Sequence, residues 1–117
     1  ARDSALMRDE IFGPILPVYP FTTFDEVVKQ INEGEKPLAM YYFGSRNSSN
    51  FRRLEKETSS GALVQNDVLF QMVNSDLPFG GVGYSGYGRY HGYEGFKAFS
   101  NPKSVFYKAA LTSWPYN

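Results

Sequence analysis

Hydrophobic residues recur at helical spacing early in the chain. Phe24, Val27, Val28 and Ile31 fall on one face, while Lys29, Gln30, Asn32 and Glu33 fill the other. This spacing predicts an amphipathic helix over about residues 24–33. Thr23-Phe24-Asp25-Glu26 has the form of a capping box before it, and Gly34 supplies the stop. Leu38-Ala39-Met40-Tyr41-Tyr42-Phe43 is an unbroken apolar run between Pro37 and Gly44, as expected of a short strand covered on both faces. Asn47, Ser48 and Ser49 offer caps for a second helix through Phe51 and Leu54 to about Thr58. On it Arg53 and Glu57 stand four apart, which predicts a solvated pair worth a few tenths of a kcal/mol. Ala62-Leu63-Val64-Gln65 reads as another strand after Gly61.

Outside this middle the pattern is shorter. Ile15-Leu16-Pro17-Val18-Tyr19 reads as a strand that Pro17 confines to an edge or a bulge. Residues 93–99 could form a short aromatic helix or turn, and Lys103-Ser104-Val105-Phe106-Tyr107-Lys108 looks like a last strand. The first half therefore runs strand, helix, strand, helix, strand. Helical crossovers of this length place successive strands in parallel, so the expected fold class is α/β: an open, mostly parallel sheet with flanking helices. In such sheets ligands sit beyond the carboxyl ends of the strands, which directs attention to Asn66, Asp67 and the segment after them.

That segment is unusual. Residues 77–95 contain seven of the eleven glycines, interleaved with Phe79, Tyr84, Tyr87, Tyr90 and Tyr93. A flexible linker would carry serine rather than large rings, so the composition predicts an ordered, packed loop. Gly81-Val82-Gly83-Tyr84-Ser85-Gly86 matches G-x-G-x-x-G, but Pro78 precedes it and no Asp or Glu follows Glu94. The context of a dinucleotide cradle is missing. Gly83-Tyr84-Ser85-Gly86-Tyr87 approaches a nucleophile elbow but ends in tyrosine, and Ser85, His91 and Glu94 lack the hydrolase order.

Composition narrows the choices further. A chain of 117 residues fits one globular domain and can bury roughly two thirds of its unfolded surface. Twelve basic and twelve acidic residues give zero net charge with no long run of one sign, which argues against a nucleic-acid surface. No apolar run approaches the length of a membrane span. With no cysteine and only His91, the chain carries no disulfide, thiolate or imidazole-rich metal site. Ala1-Arg2-Asp3-Ser4 resembles neither a signal peptide nor an initiator end, as if the chain were cut from something longer.

Taken together, the motifs resemble the aldehyde dehydrogenase family. Glu10-Ile11-Phe12-Gly13-Pro14 is similar to its Glu-x-Phe-Gly-Pro signature. Pro78-Phe79-Gly80-Gly81, with Ser85-Gly86 and Gly88, is similar to its late glycine-rich motif. Glu35-Lys36-Pro37-Leu38-Ala39, Glu57-Thr58-Ser59-Ser60-Gly61, Asn66-Asp67 and Tyr90-His91-Gly92 point to the class 3 or fatty aldehyde branch.

The resemblance implies oxidation of medium- or long-chain or aromatic aldehydes to acids with NAD or NADP, through a cysteine thiolate and a glutamate base. The cysteine and the dinucleotide-binding half lie outside this chain, so the resemblance covers the carboxyl-terminal part of a catalytic domain, which alone is expected to be inactive. It implies that Glu10 hydrogen-bonds the nicotinamide ribose and that Phe12 packs on the nicotinamide ring. Without it, Glu10 reads as a solvated turn acid and Phe12 as a core anchor. It implies that Phe79 lines the aldehyde tunnel, and that Leu69, Met72 and His91 could line it too. Partners implied are the aldehyde, the rest of the same polypeptide and a homodimer or strand-exchanged oligomer formed through 103–108. The compartment stays open, because this branch has soluble members and members tethered by a segment that would lie past Asn117. A non-catalytic interaction module that binds a protein partner through the aromatic loop or last strand is the competing expectation.

Overall fold

The computed structural model of the chain describes residues 4–108. Its centre is a parallel pair of strands joined by a helix. Strand β1 (Ala39–Tyr42) pairs with β2 (Ala62–Gln65) in the register Ala39 to Ala62 through Tyr42 to Gln65. Helix α1 (Phe24–Glu33) precedes β1, and α2 (Ser49–Glu57) makes the crossover. Two short helices follow, α3 (Phe70–Val73) and α4 (Gly92–Ala98).

Local chemistry accounts for these boundaries. The Ser48 hydroxyl accepts the Asn50 N–H at 3.2 Å and caps α2. The same hydroxyl lies 2.7 Å from Tyr42 Oη, tying the helix start to the end of β1. Neither bond of the capping box of α1 is made: Glu26 accepts from the Thr22 N–H and the Thr23 hydroxyl rather than from the Thr23 N–H, and that hydroxyl caps no helix amide. Asp25 and Glu26 still face the positive end of the helix, where carboxylates are favoured. Gly34 closes α1 by donating to Ile31 O at 3.3 Å.

Arg53 does more than pair along its own helix. Its guanidinium binds Glu57 through two 2.8 Å hydrogen bonds, reaches Asp25 of α1 at 2.7 Å, and lies over the Phe24 ring. The bonded guanidinium holds the Glu57 carboxyl below its ordinary pKa. Asn32 adds a 2.8 Å bond from α1 to the Glu57 carbonyl.

Three expectations change. Residues 15–19 and 103–108 form no strand among the described residues, because a strand exists only by hydrogen bonding to another and neither segment has one beside it. Ile15, Leu16, Val18, Val105 and Phe106 are exposed there. The strand pair is only partly covered, and Tyr41 is exposed on it. Finally, the chain does not bury a globular core: Val28 and Leu54 are its only buried hydrophobic residues among those described. The accessible surface is 10029 Å², where a folded monomer of 13.2 kDa has about 6,400 Å². The radius of gyration is 21.0 Å, against about 13 Å for a compact domain of this length.

Candidate functional site

The six residues singled out from the sequence fall into three groups. Glu10 and Phe12 share one cleft of about 640 Å³ with residues 35–39, Tyr41, Tyr84 and Ser85. Its floor is the segment that leads from Pro37 into β1, and its far wall is the glycine-rich loop. Phe12 is held at φ 45°, in the left-handed region, where a bulky side chain costs on the order of 1–3 kcal/mol. Its ring is 91% exposed, so within this chain it is not a core anchor. Glu10 is exposed beside it, and no cation lies within 4 Å of its carboxylate among the described residues.

Phe79 and His91 form the second group, with Tyr90. Phe79 and Tyr90 exchange two 3.0 Å backbone hydrogen bonds, which pins both ends of the glycine-rich loop together. Their rings meet edge to face at 5.6 Å, and the His91 imidazole stacks on Phe79 at 5.8 Å. His91 Nδ1 lies 3.2 Å from Leu77 O, so that nitrogen carries the proton when the ring is neutral. His91 also sits at φ 79°, at the start of α4.

Leu69 and Met72 make the third group, on α3 and the residue before it. Leu69 is at φ 63°, and both side chains are exposed. None of Phe79, His91, Leu69 and Met72 lines the Glu10–Phe12 cleft. What joins that cleft to the Phe79 group is the glycine-rich loop, which begins at Phe79 and brings Tyr84 and Ser85 into the cleft. Gly61, at the entry to β2, lets it come close: its α-carbon lies against the carbonyls of both Leu38 and Gly80, with no room for a methyl group.

The loop is ordered, and its order removes two other readings. A 3-10 turn over Gly83–Ser85 stands where a dinucleotide cradle needs a helix to open. The Ser85 hydroxyl accepts the Val82 N–H and donates to Val82 O, both at 2.9 Å, so it fastens the turn rather than standing ready as a nucleophile. The rule for parallel sheets is also not followed here. The cleft lies at the amino end of β1, whereas Asn66, beyond β2, bonds the N–H and the carbonyl of Gly44 at 2.8 Å each and holds the two strand ends together.

Several residues escaped the sequence. Lys36 and Tyr84 reach the cleft only because the loop returns to the segment before β1. Gln71 is buried, donates to Tyr41 Oη at 2.9 Å, and leaves its Oε1 without a partner. No periodicity marks it, since its burial follows from where α3 packs beside the strand pair. Among the described residues no three His, Cys, Asp or Glu side chains are grouped to hold a metal, and no helix is long and apolar enough to cross a membrane.

Comparison with known proteins gives a consistent result. The profile of the aldehyde dehydrogenase family matches residues 1–105. A probable coniferyl aldehyde dehydrogenase of Caulobacter vibrioides is 49% identical over 104 residues, which are 89% of this chain and 21% of that protein. Aldehyde dehydrogenase family 3 member A2 of Mus musculus is 47% identical over 106 residues, 91% of this chain and 22% of that protein. Among solved structures, the substrate-bound state of Staphylococcus aureus AldH superposes with a TM-score of 0.82 at 43% identity, over 97% of this chain and 25% of that one. The chain thus spans about a fifth to a quarter of the length of these relatives.

Proposed function

Since this chain belongs to the aldehyde dehydrogenase family, we propose that it builds one wall of the catalytic chamber of a class 3-like, NAD(P)-dependent aldehyde dehydrogenase. Its substrates are medium- or long-chain or aromatic aldehydes, and its products carboxylic acids. The observation that supports this best is that Glu10 and Phe12 share one cleft with the glycine-rich loop, within a stretch that matches the family from 1 to 105.

The residues in the cleft suit a nicotinamide nucleoside. Glu10 offers an exposed carboxylate with open lone pairs, which suits the paired hydroxyls of a ribose. Phe12 offers the exposed flat face of its ring. NAD(P), when bound, supplies the acceptor for the two electrons removed from the aldehyde. Phe79, Tyr90 and His91 present a continuous aromatic surface for the aldehyde's apolar part, and Leu69 and Met72 add exposed apolar side chains of their own. The nucleophilic cysteine, which this chain lacks, comes from other polypeptide, so the chain alone has no turnover. Residues 103–108 carry the unpaired backbone through which two subunits associate, and any membrane attachment belongs to polypeptide other than the described residues.

The test is a chimera. Residues 1–105 replace the matching stretch of the Caulobacter relative, and oxidation of coniferyl aldehyde is followed through NAD(P)H absorbance beside the unaltered enzyme. Turnover is expected. A folded chimera without turnover would reject the proposal in favour of a binding module. In an active chimera, Glu10→Gln should raise KM for the cofactor about ten- to a hundredfold, the worth of one charge-assisted hydrogen-bond pair.

The same chimera reads the Arg53 node. Glu57 has a lowered folded-state pKa, so its stabilisation is present above the unfolded carboxyl pKa and fades as pH falls through the folded one. Arg53→Met should therefore lower the unfolding midpoint at neutral pH and flatten the acid limb of its pH profile. Equal losses at pH 7 and below pH 3 would show that only packing on Phe24 was removed.

A further inference from the structure

Arg89 is the only lysine or arginine between residues 77 and 95, and its guanidinium is turned onto the backbone of its own loop. Nη1 donates to Gly81 O and, at 3.1 Å, to Gly88 O. Those two carbonyls bracket the stretch that carries Tyr84 and Ser85 into the Glu10–Phe12 cleft. The side chain also fills the space beside Gly80, where an added Cβ would meet Nη1 at 2.9 Å and Cδ at 3.1 Å. Among the described residues no carboxylate lies within 4 Å of Arg89. The neighbouring Tyr90 is fixed to Phe79 through its backbone, so the Arg89 side chain starts from a held position and spans the loop from one side to the other.

We propose that Arg89 is a positioning residue for the cofactor cleft. By bridging Gly81 and Gly88 it sets where Tyr84 and Ser85 stand relative to Glu10 and Phe12. This rests on the reading that the cleft receives the nicotinamide ribose. The alternative for such a side chain is a surface arginine resting on carbonyls with no consequence for binding. The chemistry favours the bridge: a cationic donor gives hydrogen bonds roughly twice as strong as neutral ones, and two on one nitrogen fix a distance rather than a single contact.

The experiment uses the active chimera with Arg89→Met and Arg89→Lys. Amide hydrogen exchange is measured by mass spectrometry, with helices α1 and α2 as internal reference, alongside KM and kcat. Arg89→Met should speed exchange across 82–88 about tenfold and raise KM for NAD(P) about tenfold, leaving kcat within about twofold and the reference helices unchanged. Arg89→Lys, which keeps charge and donors, should recover most of both. If exchange at 82–88 does not change in Arg89→Met, the bridge does not hold the loop and the proposal falls. If exchange rises while KM stays, Arg89 is structural only, and it falls again. Should Arg89→Met not fold, Arg89→Gln, which loses the charge and cannot span both carbonyls, carries the comparison, with a rise in both readouts expected and no rise in either overturning it. A folded chimera that keeps Arg89 yet oxidises no aldehyde rejects the enzyme reading instead, and exchange alone then decides whether Arg89 holds the loop.

Discussion

Gly81→Ala in the chimera is expected to abolish turnover and to destabilise the fold by about 3 kcal/mol, at the upper end of what overpacking costs. The reason is local. A methyl group on that α-carbon would run into the carbonyl of Ser85 and press on the Gly86 nitrogen, all of it backbone. Flexible side chains can turn away from an intruding methyl, but here the turn over Gly83–Ser85 would have to open. Opening it breaks the Ser85–Val82 hydroxyl bonds and withdraws Tyr84 and Ser85 from the cleft. Gly95→Ala is the matched control. It lies inside α4, its added Cβ would come no closer than 4.0 Å to Tyr90, and a helical glycine replaced by alanine gains about 0.5–1 kcal/mol. Thermal unfolding and initial rates of both variants decide the matter. A Gly81→Ala protein as stable and active as its parent would mean that the loop is not packed as described.

The second large effect concerns the 117-residue chain by itself. It should show no cooperative thermal transition, bind a hydrophobic dye strongly, and oxidise no aldehyde with either NAD or NADP. The two buried hydrophobic side chains among the described residues cannot offset the conformational entropy of ordering a chain this long. The surface beyond that of a compact monomer, roughly 3,600 Å² by the same scaling, is as large as an obligate interface. Exposed Phe21, Phe43, Phe70, Phe96 and Phe99 belong to it. Calorimetry, dye fluorescence and a cofactor-coupled assay test this. A sharp melting transition would show that the chain buries its apolar residues without other polypeptide.

How far the sequence could be read depended on the range of the interactions involved. The two longer helices and both strands are legible because their signals are local: the Phe24-to-Ile31 spacing, the Ser48 cap, and apolar runs marked off by Gly44 after the first and Gly61 before the second. Residues 15–19 and 103–108 carry equally strand-like residues, yet pairing depends on a neighbour that no local pattern supplies. Composition misled for a related reason. Counting apolar residues predicts a core, but Val18, Phe43 and Phe106 are exposed because nothing among the described residues covers them. At the candidate site, Glu10 and Phe12 stand out through their motif, and the structure places both on one cleft. Lys36 and Tyr84 do not, because they meet only through the return of a loop from far along the chain. A rule for large open sheets directs attention to Asn66 as a neighbour of any ligand. In a two-stranded sheet its amide is taken up by Gly44.

The β1–α2–β2 unit has a further consequence, for the order of assembly during synthesis. Its strand partners lie about two dozen positions apart, so closing them into register forfeits little chain entropy. The Tyr42–Ser48 and Asn66–Gly44 links lie within the same short span and can form as soon as that span is free. This unit should therefore be the nucleus on which later pieces condense. The Glu10–Phe12 cleft needs the glycine-rich loop from much further along, so it would be among the last features to take shape.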